Sequence, residues 1–230
     1  MGTALEGRTA EARALLHRIG SQYPSAALAS SFGAEDMVLT DLIARNRLPI
    51  AIFTLDTGRL PDETYALIDR VREHYGVPIE VYYPIRERSK LTCASNGVNA
   101  FYRGVELRQS CCAIRKTEPL AQALAGRGAW ITGQRRAQSV TRSAVEIEEI
   151  DRRTRYAKFN PLADWSKDEV WTYVRDNAVP YNPLHDRGYP SIGCAPCTRA
   201  ILPGEDIRAG RWWWKARITR NAGCIGARST

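Results

Sequence analysis

Residues 26–45 read Ala-Ala-Leu-Ala-Ser-Ser-Phe-Gly-Ala-Glu-Asp-Met-Val-Leu-Thr-Asp-Leu-Ile-Ala-Arg. Pro24 leads into Ala26–Ala29, a short run of small apolar residues that reads as a buried strand. A polar turn, Ser30 to Asp36, follows, and apolar residues then recur at helical spacing from Met37 to about Arg45. Strand, Ser/Gly turn and helix in that order aim backbone N–H groups and the positive end of a helix at an anion. Alone the turn is a weak signal, because many such turns bind nothing.

Working outward, the same alternation recurs. Pro49–Leu55 is a second buried strand ending in Asp56-Thr57-Gly58, and a helix over 59–75 opens with Pro61-Asp62-Glu63 and stops at Gly76. A third strand covers 79–83, and residues 89–104 read as a helix and a loop. Thr117–Leu124 is helical, and Ala129–Thr132 is a fourth strand feeding the polar turn Gly133–Arg142. A mixed strand is expected over 145–150, and Ser166 caps a helix running through Val174. Upstream, 3–19 form an amphipathic helix with Gly20 as its stop. Alternating strands and helices predict an α/β domain with a mainly parallel sheet and helices on both faces. The Ser30–Asp36, Leu55–Gly58 and Gly133–Arg142 turns then sit together at strand C-termini, where open α/β sheets bind ligands.

Composition narrows the partner. A formal net charge of +8 and a pI near 9.4 favour an anionic partner. Zinc-finger spacing, RNP-type aromatics and a basic helix are missing, so the expected anion is a small molecule and not nucleic acid. No run approaches the roughly eighteen apolar residues of a membrane span. Residues 1–30 lack a signal-peptide pattern, and the expected location is cytoplasmic.

In such a compartment clustered thiols bind metals more readily than each other. Cys111-Cys112 and the Cys-Ala-Pro-Cys run at 194–197 form two pairs far apart in the chain. Vicinal cysteines cannot both take good tetrahedral positions on one zinc ion, whereas an iron–sulfur cube presents separate iron corners. The pattern therefore favours a [4Fe-4S] cluster over zinc, with buried free thiols as the plain alternative.

The ordered motifs resemble one family. Ser-Phe-Gly-Ala-Glu-Asp (31–36), Leu-Asp-Thr-Gly-Arg-Leu (55–60) and Gly-Gln-Arg-Arg-Ala-Gln-Ser-Val-Thr-Arg (133–142) are similar to those of the assimilatory sulfonucleotide reductases. So are Phe-Asn-Pro-Leu-Ala-Asp-Trp (159–165), Pro-Tyr-Asn-Pro-Leu-His-Asp (180–186) and Gly-Arg-Trp-Trp-Trp (210–214). The resemblance implies an adenine-nucleotide α-hydrolase-like (PP-loop) fold over 1–214, followed by a flexible tail over 215–230. The cysteine pairs place it nearest the branch that carries a [4Fe-4S] cluster on Cys111, Cys112, Cys194 and Cys197 and reduces adenosine 5′-phosphosulfate. The implied products are sulfite and AMP, with thioredoxin as reductant; self-association into a homo-oligomer is left open.

By the same resemblance, Ser30, Ser31, Phe32, Gly33, Glu35 and Asp36 meet the phosphosulfate, and Leu55, Asp56, Thr57 and Gly58 meet the nucleoside. Gly133, Gln134, Arg135 and Arg142 belong to an arginine-containing loop beside the substrate, and Arg208 and Arg211 contact the phosphosulfate. Lys116 sits between cluster and substrate. Taken alone, Asp56 reads as a strand-end cap, Arg135 and Arg136 as a solvated face and His185 as a structural group. Cys93 reads as a small buried hydrophobe. Family members end near Glu-Cys-Gly-Leu-His with that cysteine as nucleophile; here the tail reads Asn221-Ala222-Gly223-Cys224-Ile225-Gly226-Ala227. Cys224 is the candidate nucleophile. The same chemistry on the 3′-phosphorylated nucleotide and a binding protein with altered turnover are the alternatives. ATP pyrophosphatase chemistry is disfavoured, because the 30–36 turn lacks the Ser-Gly-Gly-x-Asp-Ser form.

Overall fold

Short runs of Ala, Val, Ile, Leu and Phe make the strands, and the computed structural model assembles six of them into one sheet. It describes residues 2–138, 142–151 and 155–214. In chain order the elements are α1 (Gly2–Gln22), β1 (Ala27–Ala29), α2 (Ala34–Arg45), β2 (Ala51–Leu55), α3 (Asp62–Tyr75) and β3 (Ile79–Tyr82). There follow α4 (Arg86–Asn96), α5 (Val105–Cys112), α6 (Glu118–Leu124), β4 (Ala129–Ile131), β5 (Glu148–Ile150), β6 (Ala157–Phe159) and α7 (Lys167–Asp176). Strand order is β3-β2-β1-β4-β6-β5. β1 pairs in parallel with both β2 and β4, β4 in parallel with β6, and β5 closes the edge antiparallel to β6.

This order makes β1 the switch point. The chain leaves β1 toward β2 and β3 on one side and returns on the other through β4. In open α/β sheets ligands bind beyond the carboxyl ends of the strands at such a point, and here the Ser30–Asp36 and Gly133–Arg142 turns follow β1 and β4.

The described residues fall into two compact units. One is drawn from Met1–Thr54, Asp62–Tyr82 and Ala121–Pro183, the other from Leu55–Pro61, Tyr83–Leu120 and Leu184–Thr230. The first holds the main core: Leu16 and Ile19 of α1, Met37, Leu39 and Leu42 of α2, Leu28 and Ile131 of the sheet, and Val170 and Val174 of α7 are all buried. The second has a smaller core of Phe101, Cys194, Cys197 and Trp214, against which Cys111, Trp212 and Trp213 pack. Among the described residues no helix is long and apolar enough to cross a membrane.

One expectation changes, and two elements appear where the pattern gave none. Gly20 does not stop α1, which runs on to Gln22; a Cβ there would lie 3.2 Å from the Pro49 ring, so this glycine permits close packing instead. Ala157–Phe159, given no element from its pattern, is a sheet strand paired on both sides, and three residues are too few to show a period. Cys111-Cys112 end a helix that passes through one π turn, Ala113–Thr117, into α6. The Ser166 cap is present and forms a full capping box with Glu169.

Candidate functional site

The first unit's site begins where β1 ends. Ser30 N–H still donates to the Phe53 carbonyl in the ladder, and the chain then turns sharply. The turn is carried by Phe32, whose φ is +58° while Gly33 is extended. A bulky residue in the left-handed region is strained, and its ring is held by burial in the core. Gly33 caps α2 without a side-chain acceptor, leaving the first-turn N–H groups and the helix dipole to an anion.

The acidic residues of this turn are occupied from within. Asp36 Oδ2 accepts from Ser31 N at 2.6 Å and Ser31 Oγ at 2.8 Å. Glu35 pairs with Arg135, whose Nε and Nη2 lie 2.8 and 2.7 Å from Oε1. Arg135 is 3 % exposed and also donates to the Trp165 carbonyl at 3.1 Å. It braces the turn; the solvated-face reading of Arg135 alone fails because its partner is a hundred residues away in sequence. Arg136 does face outward, pairing with Asp164 and Glu146.

The two turns meet. A Cβ on Gly133 would stand 2.4 Å from Asp36 Oδ1 and 2.9 Å from Glu35 Cβ, so only glycine allows the β4 turn to approach. Gln138, part of the 133–142 motif but given no role of its own from the sequence, ties that turn together. Its Oε1 accepts from Arg135 N and Arg142 Nη1, and its Nε2 donates to Gly133 O at 3.2 Å.

Burial pushes the Asp36 carboxyl up to about 6, outweighing the Ser31 and Gly33 hydrogen bonds that favour its anion. A carboxyl with a folded pKa above its unfolded value binds its proton more tightly when folded. Its contribution is therefore full in acid and is lost as pH rises through about 6. The displacement from 3.8 corresponds to roughly 3 kcal/mol at about 1.4 kcal/mol per pH unit. Asp36→Asn is expected to flatten the dependence of urea-unfolding stability on pH between about pH 4 and pH 6. An unchanged slope in that window would refute the assignment.

The second unit gathers the cysteines. Cys93, Cys111, Cys112, Cys194 and Cys197 are all free thiols. Cys194 and Cys197 are buried, and the other members of the two pairs are half-buried. Burial, and then the neighbouring thiols Cys194, Cys112 and Cys111, push the Cys197 thiol up to about 12, against the favourable charge of Lys116. Burial likewise raises Cys111, with Arg115 opposing. The four thiols of the two pairs thus converge closely enough to act on one another. Among the described residues, however, no three His, Cys, Asp or Glu side chains are arranged to hold one metal ion.

Cations surround this set. Lys116 and Arg115 lie in the π turn, a helix irregularity frequent at functional sites. Arg115 Nη1 donates to the Thr57 carbonyl at 2.6 Å. Thr57 Oγ1 accepts from Arg59 N at 3.2 Å and lies 3.3 Å from Cys194 Sγ, a hydrogen bond in which either group can be the donor. Asp56 accepts from Gly58 N at 2.7 Å, the strand-end cap expected of it, and Gly58 takes a φ of +66°. Arg211 is held by Ser191 Oγ at 3.2 Å and the Ile192 carbonyl at 3.1 Å, against the bare Cα of Gly193. Burial and then the Arg208 charge lower its pKa, while the Cys194, Cys197 and Cys112 thiols favour its cation. His185 is structural, its Nδ1 lying 2.8 Å from the Tyr189 carbonyl. No spacing marked Arg115; only the fold places it beside Thr57. Cys224 lies outside the described residues.

Comparison with known proteins follows the same lines. The sequence profile of the phosphoadenosine phosphosulfate reductase domain matches residues 25–200. An adenosine 5′-phosphosulfate reductase of Burkholderia cepacia is 57% identical over 91% of this chain and 84% of its own length. Enzymes of the same name from Allochromatium vinosum and Neisseria meningitidis are 54% and 51% identical, over 95% and 96% of this chain and 86% and 90% of theirs. Among solved structures, a phosphoadenylyl-sulfate reductase from Candida auris superposes with a TM-score of 0.72 at 27% identity, covering 82% of this chain and 90% of that one. A Candida glabrata FMN adenylyltransferase shares the fold at a TM-score of 0.59 and 12% identity, over 92% of this chain and 73% of its own.

Proposed function

Because this chain belongs to the phosphoadenosine phosphosulfate reductase domain family, we propose that it reduces adenosine 5′-phosphosulfate to sulfite and AMP in sulfate assimilation. The observation that carries the reading is the convergence of Cys111, Cys112, Cys194 and Cys197 among cations in one unit. None of the four is in a disulfide among the described residues, and the proposed cytoplasmic setting would keep such thiols reduced.

This donor set fits a [4Fe-4S] cluster. Four soft thiol donors lie close enough to act on one another, and Lys116, Arg115 and Arg211 would offset the charge of four thiolates. Cys111, Cys112, Cys194 and Cys197 would hold it, and Thr57 would donate to the Cys194 sulfur. When bound, the cluster supplies a fixed charged centre that tunes local electrostatics.

The difficulty of the reaction is electrostatic: a thiolate must approach a sulfur ringed by anionic oxygens. In the first unit the α2 N-terminus offers first-turn N–H donors to an anion; in the second, Lys116, Arg208 and Arg211 supply positive charge. The Cys224 thiolate attacks the sulfate sulfur, the bond from sulfur to the bridging phosphate oxygen breaks, and AMP leaves with that oxygen. The enzyme keeps the sulfite group on Cys224 as S-sulfocysteine. Thioredoxin, the proposed reductant, attacks the Cys224 sulfur with one thiol and expels sulfite. Its second thiol resolves the mixed disulfide, so the dithiol is oxidised by two electrons.

The test uses anaerobically purified, pre-reduced protein incubated with adenosine 5′-phosphosulfate without thioredoxin, read by intact-mass and peptide spectrometry. A sulfo adduct on Cys224, discharged by reduced thioredoxin and absent from Cys224→Ser, is expected. Tight binding with no adduct on any residue would reject the reductase reading in favour of a sulfonucleotide-binding protein. Adduct formation only with the 3′-phosphorylated nucleotide would reject the substrate.

A further inference from the structure

Lys158 of β6 has no part in the chemistry above, yet its side chain reaches the turn that follows β4. Its side chain is 8 % exposed, and an ammonium so far from water needs partners for its N–H groups. Nζ donates to Glu149 Oε1 at 2.9 Å and to Gln134 Oε1 at 3.2 Å. It also lies 5.5 Å from the Trp130 ring centre. Sheet register produces this arrangement: Lys158 stands opposite Trp130 on β4 and opposite Glu149 on β5.

Asn160, two residues on, ties the same network down. Its Nδ2 donates to the Glu146 carbonyl at 2.7 Å and lies 3.3 Å from Glu149 Oε1, while its Oδ1 accepts from Thr132 Oγ1 at 2.5 Å. Thr132 Oγ1 in turn accepts from Gln134 N at 3.4 Å. Backbone and side chain of Gln134 are thus both held from beneath by β6 and its neighbours.

The consequence lies in the polarity of the Gln134 amide. A carboxamide has one accepting end and one donating end, and an ammonium can only donate. The oxygen of Gln134 must therefore face Lys158, which turns its amino group to the opposite side. We propose that Lys158 is a positioning residue that sets this orientation, so that the turn presents an N–H donor to the anionic group of the nucleotide. The inference rests on the sulfonucleotide reductase reading. Without Lys158 the amide is free to reverse and offer its oxygen, which repels an anion.

The experiment measures kcat and KM for adenosine 5′-phosphosulfate in the wild type, Lys158→Met, Lys158→Arg, Gln134→Ala and the Lys158→Met/Gln134→Ala double variant. Lys158→Met is expected to raise KM about fivefold to twentyfold with kcat within about twofold, the size of one charge-assisted hydrogen bond. Lys158→Arg restores most of the loss, and the double variant is no worse than Gln134→Ala. A wild-type KM in Lys158→Met, or losses that multiply in the double variant, would overturn the proposal. If Lys158→Met does not fold, Gln134→Glu carries the test. Its carboxylate satisfies Lys158 but has no donor, so KM must rise, and an unchanged KM refutes the assignment. A wild type that does not turn the nucleotide over instead defeats the functional reading.

Discussion

Cys194→Ser is expected to strip the protein of iron and lower reductase activity more than about 100-fold, since even residues outside a metal's ligand shell cost about 10- to 100-fold when changed. Three features make Cys194 decisive. It is buried, it sits 3.3 Å from the Thr57 hydroxyl, and its charge bears on both Cys197 and Arg211. Coordination requires the thiolate, and burial together with the neighbouring thiols raises the Cys197 thiol to about 12. Without a bound positive centre the Cys197 thiol stays protonated at neutral pH. Serine cannot substitute, because its hydroxyl ionises far less readily and is a poor ligand for soft iron–sulfur sites. Cys93→Ser is the control: Cys93 is half-buried, has no role in the chemistry above, and its variant is expected to keep its iron. Iron and sulfide content, together with turnover of adenosine 5′-phosphosulfate, give the readout. A Cys194→Ser protein that retained full iron and activity would remove Cys194 from the metal site.

A comparable effect on stability is expected from Asp41→Ala. Asp41 is fully buried in α2 and accepts from three donors: Tyr75 Oη at 2.8 Å, Tyr173 Oη at 2.7 Å and Arg45 Nε at 2.7 Å. The tyrosines belong to α3 and α7, so one carboxylate joins three helices of the first unit. Burial and then the Asp41 carboxylate hold both phenols far above their ordinary pKa, so they remain donors throughout the working range. Truncating Asp41 strands two phenolic hydroxyls beside a cavity. The expected loss is about 3–5 kcal/mol, which lowers the melting temperature by roughly 10 °C for a chain of this size. Asp41→Asn keeps one oxygen acceptor and is expected to lose less. Thermal and urea unfolding check both variants; a change in Asp41→Ala below about 1 kcal/mol would show that the network is not structural.

Much of the architecture was legible in local pattern. Buried apolar runs, the Pro61 and Gly76 punctuation and the Ser166 capping box are short-range effects, each decided within a few residues. The exceptions have two causes. Gly20 looks like a helix stop until Pro49 is packed against it, and Ala157–Phe159, at three residues, is too short to show a period. The π turn after Cys112 leaves no periodic trace because it lasts only five residues.

The site divides the same way. Residue type and order alone determined the thiol pairs, the polar turn after β1 and the family, because ligand chemistry and turn chemistry are properties of side chains and short spacings. What each residue touches was decided only by tertiary structure. Arg135 is a buried brace on Glu35, Thr57 serves Cys194, Arg115 enters beside Thr57, and Lys158 reaches Gln134 through sheet register. Burial then sets the charge states, raising Asp36 to about 6 and, together with the neighbouring thiols, Cys197 to about 12. Desolvation and long-range pairing depend on which distant segments exclude water from a group, and no local spacing encodes that.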